Sequence, residues 1–363
     1  SLNSKITFNK QLLNNFVNLN TLYETSSGNI ARQEFVYINT EPGLGYYTWL
    51  DYNNDGVQDF DEFEVAEFQD QANYLRVPLP NLRFLATQRA KFRQAINLNF
   101  TGWKNRKGIL KTIAYFANES FLSIENEQRR IGNSFNFNPF KFKEENLVGL
   151  NFSFRNSLYF NKNLQKFSTT YTYGNLRNKQ QFLIGAQENN VTSHQINFAH
   201  KFANFWLGEL LTQFSKNNLQ TENFTNRNYL IETNEIQPKI SFLHSDNNKL
   251  SVFYHFKNKK NTLPDFETLK QQKIGLEYFF IKGAKNQITA NINAYLNDFK
   301  GDVNSPVGYQ MLEGLQNGQN YTWNLLFNRK LNSFLNLNLN YLGRKSENSK
   351  AIHTGSVQLR AIF

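Results

Sequence analysis

Residues 286–298 read NQITANINAYLND, and every second position from Ile288 to Leu296 carries an apolar side chain. The intervening positions are mostly polar, with asparagine the commonest residue among them. Successive side chains of a β-strand point to opposite faces, so this stretch predicts a strand with one apolar and one polar face. Its length exceeds the ~5–6 residues of an average strand. It matches the ~9–11 residues that a tilted strand needs to cross a bilayer.

The same alternation recurs along most of the chain. We predict strands at 2–9, 12–24, 30–39, 89–103, 109–122, 147–160, 165–186, 191–201, 205–216, 228–243, 249–257, 270–281, 286–298, 321–331, 334–346 and 353–363. Short connections at 161–163, 282–286 and 332–333 alternate with long ones at 217–226, 258–268 and 301–319, which is typical of outer-membrane barrels. The sequence therefore predicts an all-β, transmembrane, antiparallel outer-membrane β-barrel of ~14–16 strands. The alternative is a soluble β-sandwich or solenoid, which the long one-sided apolar faces disfavour.

The last predicted strand places Val357, Leu359, Ala361 and Phe363 on one face and ends the chain on an aromatic residue. A terminal aromatic on an alternating strand is similar to the signal that the barrel-insertion machinery of Gram-negative bacteria reads. We expect residues 1–39 to form the first barrel strands, 40–88 an excursion from the barrel, and 89–363 the remaining strands.

Composition narrows the protein class further. The 363 residues include 40 Lys+Arg against 29 Asp+Glu, no cysteine, and 15% aromatic residues. The absence of cysteine excludes disulfides, thiolate catalysis and cysteine-ligated metals, and the aromatic content disfavours disorder. No window approaches the ~18–20 apolar residues of a spanning helix. The basic clusters at 104–107 and 257–260 fall where turns are expected and no nucleic-acid motif accompanies them, so we predict no nucleic-acid partner.

Acidic residues concentrate in residues 51–62, which read DYNNDGVQDFDE. This order matches the twelve-residue EF-hand loop, in which Gly56 would permit the sharp bend. The predicted ligands are the side chains of Asp51, Asn53, Asp55, Asp59 and Glu62 and the backbone carbonyl of Val57. Ca²⁺ is a hard cation that takes six to eight oxygens, so the sequence predicts Ca²⁺ as a structural cofactor. The alternative is a turn rich in Asn, Asp and Gly that only resembles such a loop.

The surroundings of this loop differ from a two-helix EF-hand. Residues 46–49 are predicted to be a strand, whereas Asp61–Leu75 is predicted to be a short helix. Residues 71–80 predict an extended return segment, because each proline disfavours helix before it. Extracellular calcium modules of this kind bind weakly, at ~10⁻⁴–10⁻³ M, which suits a permanent structural ion.

Several blocks resemble large, uncharacterised outer-membrane proteins of Bacteroidota. The resemblance is carried by residues 45–56, 61–66, 70–77, 313–323 and 353–363. It implies an outer-membrane barrel at the end of a longer precursor, in agreement with a chain that begins at Ser1 without an apolar signal segment. It implies no reaction, and the acidic loop is the one site that it transfers.

No nucleophile elbow, zinc-protease motif or phosphate-binding loop is present, and the histidines (His194, His200, His244, His255 and His353) show no chelating spacing. Glu125 and Glu127 share a strand face, as carboxylates lining a lumen commonly do. We therefore predict a non-enzymatic barrel that acts as a channel, a surface platform or a component of an envelope transport or secretion assembly. Its expected partners are outer-membrane lipid and lipopolysaccharide, with other envelope proteins as further candidates. The alternatives are a calcium-dependent adhesin or glycan-binding β protein, and a barrel hydrolase.

Overall fold

The computed structural model of the protein describes residues 3–13, 15–31, 34–79, 84–132, 135–162, 166–182, 184–245, 247–283, 286–332, 334–347 and 349–361. In these ranges the strands are β1 Asn3–Leu12, β2 Val17–Ala31, β3 Glu34–Asn39, β4 Tyr47–Trp49, β5 Phe63–Val65, β6 Tyr74–Leu79, β7 Phe84–Asn99, β8 Phe116–Arg129, β9 Leu147–Phe160, β10 Phe167–Phe182, β11 Gly185–Phe202, β12 Trp206–Thr221, β13 Tyr229–Ser245, β14 Asn248–Asn261, β15 Thr268–Lys282, β16 Asn286–Lys300, β17 Gly318–Lys330, β18 Leu335–Ser346 and β19 Ile352–Ala361. The α-helices are α1 Ile109–Ile113 and α2 Pro306–Leu312, and 3₁₀ turns lie at Phe60–Glu62, Gln69–Gln71, Thr101–Trp103, Glu144–Asn146 and Thr225–Arg227. Among the described residues, no helix has the length and apolar character needed to cross a membrane.

Fifteen of the described strands form one antiparallel sheet. Its order is β1-β2-β7-β8, continuing through consecutive strands to β19, so each strand pairs with its neighbours in the meander. The other four strands form a small sheet of order β3-β6-β4-β5. The predicted all-β antiparallel barrel architecture and strand number are thus confirmed. The strands at the two edges, β1 and β19, run in the same direction because an even number of reversals separates them.

One face of the large sheet is apolar and exposed. Ile240, Val252, Leu276 and Ile292 lie opposite one another in a single row across β13–β16. These four side chains are between 41% and 59% exposed. Adjacent rows on the same face contain Leu250, Tyr278, Ala290 and Leu325 on one side and Tyr254, Ile274, Ala294 and Tyr321 on the other. We call this band the apolar belt; on β16 it extends from Ile288 to Leu296, close to the ~9–11 residues of a spanning strand.

The opposite face is polar and buried. Ser241 and Ser251 are 0% and 1% exposed, and their hydroxyl oxygens lie 2.8 Å apart. Gln271 and Asn297 are also buried, and the Gln271 amide donates to Asn297 Oδ1 at 3.1 Å. Soluble proteins bury apolar side chains and expose polar ones. At the level of the belt this sheet has the reverse polarity, with mostly polar side chains inside and apolar ones outside.

The sheet is curled around residues 34–79, which we call the insert. The insert contacts Phe182 on β10, Arg227 between β12 and β13, Tyr309 on α2, and Arg344 on β18. Nine consecutive flat strands would span ~38 Å, whereas a four-stranded sheet is ~14 Å wide. One small sheet can therefore reach β10, β18 and the connections between them only if the large sheet is strongly curved.

The meander separates its connections into two sides. The described residues of the connections within 13–16, 100–115, 161–166, 203–205, 246–247, 283–285 and 331–334 lie on what we call the turn side. The described residues within 32–83, 130–146, 183–184, 222–228, 262–267, 301–317 and 347–351 lie on the cap side, which carries the insert. On the cap side, α2 packs against the inner face of the sheet in a buried cluster of Leu219, Tyr229, Ile231, Leu269, Phe299, Val307, Met311 and Leu312. The insert and α2 together form a cap at this end of the sheet.

Some sequence predictions need correction. The strand predicted at 30–39 is divided, because β2 ends at Ala31 and Glu34–Asn39 pairs with Tyr74–Leu79 in the small sheet. The strand predicted at 109–122 starts late, at Phe116, because Ile109–Ile113 is helical. The basic cluster at 257–260 lies on β14 and not in a turn. The long connections predicted at 217–226 and 258–268 shorten to 222–228 and 262–267.

The predicted helix Asp61–Leu75 is wrong. This segment forms the 3₁₀ turn Phe60–Glu62, strand β5, the 3₁₀ turn Gln69–Gln71 and the start of β6. Phe63 pairs with Trp49, and Tyr74 pairs with Tyr47, so sheet pairing with β4 replaces the helical hydrogen bonds. The predicted C-terminal signal residue Phe363, and residues 163, 284, 285 and 333 of the predicted turns, lie outside the described residues.

Candidate metal centre

The acidic loop lies between β4 and the 3₁₀ turn at Phe60–Glu62. Its side-chain oxygens accept hydrogen bonds from its own backbone: Gly56 N donates to Asp51 Oδ2 at 2.9 Å, and Val57 N donates to Asp55 Oδ1 at 2.7 Å. Asp55 N donates to Asn53 Oδ1, also at 2.9 Å. Gly56 has a φ of +73°, which is why glycine is needed there. These bonds wind residues 51–57 into a tight turn that carries four of the predicted ligands, Asp51, Asn53, Asp55 and the carbonyl of Val57.

Glu62 joins the end of the loop to its beginning. Its side chain is 2% exposed. Tyr52 N donates to Glu62 Oε1 at 3.2 Å, and Trp49 Nε1 donates to Oε2 at 2.8 Å. The twelfth residue of the loop is therefore held beside Tyr52, its second residue, and Trp49, which precedes the loop.

The donor set fits Ca²⁺ in its chemistry, because every predicted ligand supplies a hard oxygen. The geometry is less complete: within the described ranges, no three carboxylate, imidazole or thiol side chains converge at metal-binding distance. Partial removal from water, followed by the charges of Asp55, Glu62 and Asp61, raises the pKa of Asp59. A bound cation would relieve this concentration of negative charge.

The loop rests on the aromatic core of the insert. The rings of Tyr37 and Phe63 stack with centroids 3.9 Å apart, and Tyr74 meets Phe63 edge-on at 5.1 Å. Next to Phe63, Glu64 is buried and pairs with Arg227 at 2.8 Å, while Tyr52 Oη lies 3.4 Å away. Burial raises the pKa of Glu64 to about 7, although Arg227 acts in the opposite direction. The loop is thus tied through Glu64 to the connection between β12 and β13.

Further contacts join the cap to the sheet. Tyr309 Oη donates to the carbonyl of Val65 at 3.1 Å and accepts from Glu67 N at 3.2 Å. Gly314 has a φ of +69°, and a Cβ atom there would lie 2.9 Å from Glu67 Cβ. The connection at 301–317 therefore lies in direct contact with the insert, and glycine at position 314 permits this approach.

Two lysines anchor the same connection to β14. Glu313 Oε1 lies 2.8 Å from Lys257 Nζ and 2.7 Å from Lys259 Nζ. Lys259 Nζ also donates to the carbonyl of Met311 at 2.9 Å. Burial opposes ionisation of Glu313, but Lys259 and Lys257 outweigh it and lower the pKa of Glu313 to about 2.

A cavity of about 390 Å³ with mixed polar and apolar walls lies beneath the cap, on the inner face of β16–β19. Its walls carry amides, hydroxyls and charged groups, among them Asn291, Asn293, Thr322, Asn324, Glu313 and Arg344. Polar groups also line the interiors of outer-membrane barrels, where they contact water.

Three of the five histidines and Glu125 have polar side-chain partners. His194 Nδ1 lies 2.9 Å from the Tyr171 hydroxyl, and His353 Nδ1 lies 2.7 Å from that of Tyr341. His255, on the inner face, pairs with Glu235 at 2.9 Å. Glu125 forms ion pairs with Arg89 and Lys91.

Sequence reasoning missed the residues that fix the cap to the sheet. Asp70 and Arg344 are 274 positions apart in the chain, and Glu64 and Arg227 are 163 apart. Neither pair carries a local signal. The sequence offered one indication: each pair joins opposite charges, and its two residues lie at or near connections on the same side of the meander.

The fold defines the class as an antiparallel β-barrel wall with reversed polarity. No family model and no curated protein matches the sequence. Among solved structures, the chain can be aligned with the outer-membrane expressed OmpT of Vibrio cholerae, with 5% identity, 93% of this chain and 89% of that chain covered, and a TM-score of 0.35. A likeness this distant transfers neither a family nor an activity.

Proposed function

We propose that this chain is a non-enzymatic wall of an outer-membrane β-barrel that serves as a capped surface platform. The reversed polarity of the sheet carries this proposal. An exposed apolar belt is unfavourable in water, and a row of buried polar side chains is unfavourable in a soluble core. Both become favourable when lipid covers the belt and a polar lumen lies on the other side.

The connections support an orientation with the cap side outside the cell. Outer-membrane barrels have short turns on the periplasmic side and longer loops outside. The cap side carries the insert and the connections at 130–146 and 301–317. The connections on the turn side are short, except for the one at 100–115. Past the belt on the cap side, the outer face is charged, with Lys216, Glu232, Lys260, Lys270 and Lys300. The four lysines among them suit the phosphate groups of lipopolysaccharide.

The cap favours a platform over an open channel. The insert contacts connections and strands from β10 to β18. Helix α2 packs against the inner face of the sheet in the buried cluster that contains Tyr229. A polypeptide plug in this position obstructs the lumen of a barrel. In planar bilayers, where both edges of the wall must be paired, we expect no steady conductance from the wild-type protein, and conductance after deletion of residues 34–79. Steady wild-type conductance would favour a channel.

Calcium is proposed to stabilise the insert. The arrangement of Glu62 beside Tyr52 supports this role, since both ends of the loop already meet. Protease resistance of the loop should fall in a chelator and return with Ca²⁺ at ~1 mM, in the range of extracellular modules. The double variant Asp51→Asn, Asp55→Asn should be insensitive to chelator, whereas the control Gln58→Ala should behave as wild type. Equal protease resistance with and without chelator would remove calcium from the proposal.

Membrane insertion is tested separately. Wild-type protein should require detergent to remain monodisperse, and its gel mobility should change on boiling, as expected for a barrel. A monodisperse sample in plain buffer would favour the soluble adhesin alternative.

A further inference from the structure

The connection between β8 and β9 folds back over the outside of the sheet. We call its residues 135–143 the flap. The backbone of Asn136 forms two hydrogen bonds with the side chain of Gln88. Gln88 Nε2 donates to the Asn136 carbonyl at 2.8 Å, and Asn136 N donates to Gln88 Oε1 at 2.9 Å. Tyr23 Oη donates to the carbonyl of Phe137 at 2.6 Å. The Phe140 ring lies 5.3 Å from that of Phe92.

The strand register identifies the covered face as the outer one. One row of opposed residues runs through Phe92, Ile124, Phe152, Arg177, Asn190, Asn218 and Leu230. Leu230 is an even number of positions from Ile240 on β13, so the two side chains share a face. The flap is therefore attached to the surface that carries the apolar belt, and not to the lumen.

The flap exposes aromatic side chains at this position. Phe137 and Phe140 are 55% and 52% exposed, and Phe135 is 39% exposed. Phe142, in contrast, packs inward against Ile124, Leu147 and Leu150. Phe142 and Phe140 thus both contact the sheet. Phe140 nevertheless keeps about half of its surface exposed, as Phe137 does. Toward the turn side, the next outer pair is Leu122 and Phe154, so the apolar surface continues from the belt to the flap.

Basic groups accompany these aromatic residues. The Arg130 guanidinium lies 5.3 Å from the centre of the Phe135 ring. Lys141 and Lys143 are both exposed within the flap. Exposed phenylalanine next to cationic side chains fits the boundary where acyl chains meet phosphate groups. An apolar protein partner would not need the cations.

We infer that the flap is a lipid anchor that inserts Phe137 and Phe140 into the cap-side leaflet and places Arg130 and Lys141 at the lipid phosphates. The inference rests on the proposed membrane location, because it adds a second lipid contact to the belt. Interfacial segments lie ~5–10 Å deep, at the boundary between headgroups and acyl chains. The flap would fix how far the sheet sits in the bilayer.

The absence of cysteine allows a direct test in the full chain, because a single introduced thiol is the only one present. We would label Phe137→Cys with bimane and reconstitute the protein in phosphatidylcholine vesicles with and without brominated acyl chains. Ile292→Cys in the belt is the positive control, and Asn291→Cys on the inner face is the negative control. Quenching at position 137 should be about half of that at position 292, because an interfacial probe lies shallower than one in the belt.

The outcomes separate the two proposals. Quenching at positions 292 and 137 but not at 291 supports the flap as an anchor. Quenching at 292 with none at 137 overturns the anchor and leaves the membrane location intact. Equal quenching at 291 and 292, or none at either, overturns the membrane location and the anchor together. Replacing part of the lipid with phosphatidylglycerol should increase quenching at 137, and the variant Arg130→Gln, Lys141→Gln should abolish that increase.

Discussion

Arg344 on β18 donates a hydrogen bond to Asp70 in the insert at 2.6 Å, across a separation of 274 residues in the chain. The same guanidinium lies 4.3 Å from the centre of the Phe68 ring. Arg344 is 18% exposed and Asp70 is 26% exposed, so this pair is largely shielded from solvent screening. It fixes one corner of the cap to the wall.

Removing this pair should loosen the cap without unfolding the sheet. Arg344→Ala leaves Asp70 unpaired in a partly buried position, and we expect a local cost of about 2 kcal/mol. Cleavage of the insert by a protease should then accelerate by about tenfold or more, because the cleavable form is more populated. Lys345→Ala, one residue along and on the outer face, is the matched control. An unchanged cleavage rate in Arg344→Ala would show that the other contacts suffice to hold the cap.

The strands were predictable from sequence where one period held throughout. The strand predicted at 147–160 matches β9, because its alternation continues to Phe160 with Asn156 as the one polar residue in the apolar positions from Leu150 onward. The insert was not predictable in the same way, because both neighbours Phe63 and Glu64 are buried and the period-two signal is lost. The spacing of Phe63 and Ala66 suggested a helix, yet pairing with β4 prevailed. Local pattern cannot reveal a partner strand that lies elsewhere in the chain.

The candidate site divides in a similar manner. The order of oxygens from Asp51 to Glu62 could be recognised in the sequence, because all the predicted ligands lie within twelve consecutive residues, mostly at alternate positions. The hydrogen bond from Trp49 to Glu62 could not be predicted from the sequence, because it depends on how β4 lies beside the end of the loop. Arg227, which binds Glu64, comes from a different connection on the same side of the sheet.

Calcium binding should alter the fluorescence of Trp49. Its indole N–H donates to Glu62 Oε2 at 2.8 Å, so coordination by Glu62 would change the environment of the ring. In a variant with Trp103, Trp206 and Trp323 replaced by phenylalanine, we expect the emission to titrate with Ca²⁺ at ~10⁻⁴–10⁻³ M. Asp51→Asn with Asp55→Asn should abolish the titration. A signal that persists in this double variant would locate the cation elsewhere.

Acid should release the connection that contains Glu313. The pKa of Glu313 is lowered from 4.5 to about 2, so its ionised form stabilises the fold. That contribution is complete above 4.5 and is lost as the pH falls toward 2. The facing groups are Lys257 and Lys259, with Glu235 and Glu67 nearby. Because the Glu313 side chain is 39% exposed, water screens the interaction, and we expect about 1 kcal/mol.

The measurement compares wild type with Glu313→Gln. Near neutral pH the variant should be less stable, as followed by thermal unfolding in detergent. The difference should shrink as the pH falls from 4.5 toward 2 and disappear below about 2, where the Glu313 carboxyl is protonated and both side chains are neutral. Glu347→Gln, a carboxylate on the neighbouring connection, serves as the control. A difference that stays constant with pH would mean that packing, not charge, sets the effect.

Adjacent residues on β16 should respond in opposite ways to a positive charge. Ile292→Lys places an ammonium group on the lipid face, at an expected cost of about 2–4 kcal/mol near the bilayer midplane. Asn291→Lys places the same group in the polar lumen, where we expect a change below about 1 kcal/mol. The readout is the fraction that folds into vesicles, judged by the mobility shift on boiling. Comparable losses in both variants would contradict the assignment of the two faces.

The two edge strands of the sheet, β1 and β19, should be less protected from hydrogen exchange than the strands beside them. β1 and β19 pair with β2 and β18, and within the described residues no further strand pairs with either of them. Hydrocarbon does not tolerate unpaired backbone N–H and C=O groups, so a membrane-embedded wall must have both edges paired. Direct pairing of β1 with β19 would be parallel, because they run in the same direction, whereas antiparallel pairing at both edges requires an odd number of strands between them. In the isolated chain in detergent, we therefore expect amide hydrogens of β1 and β19 to exchange much faster than those of β2 and β18. Equal protection of all four strands would show instead that the two edges bond to each other and close the wall in parallel.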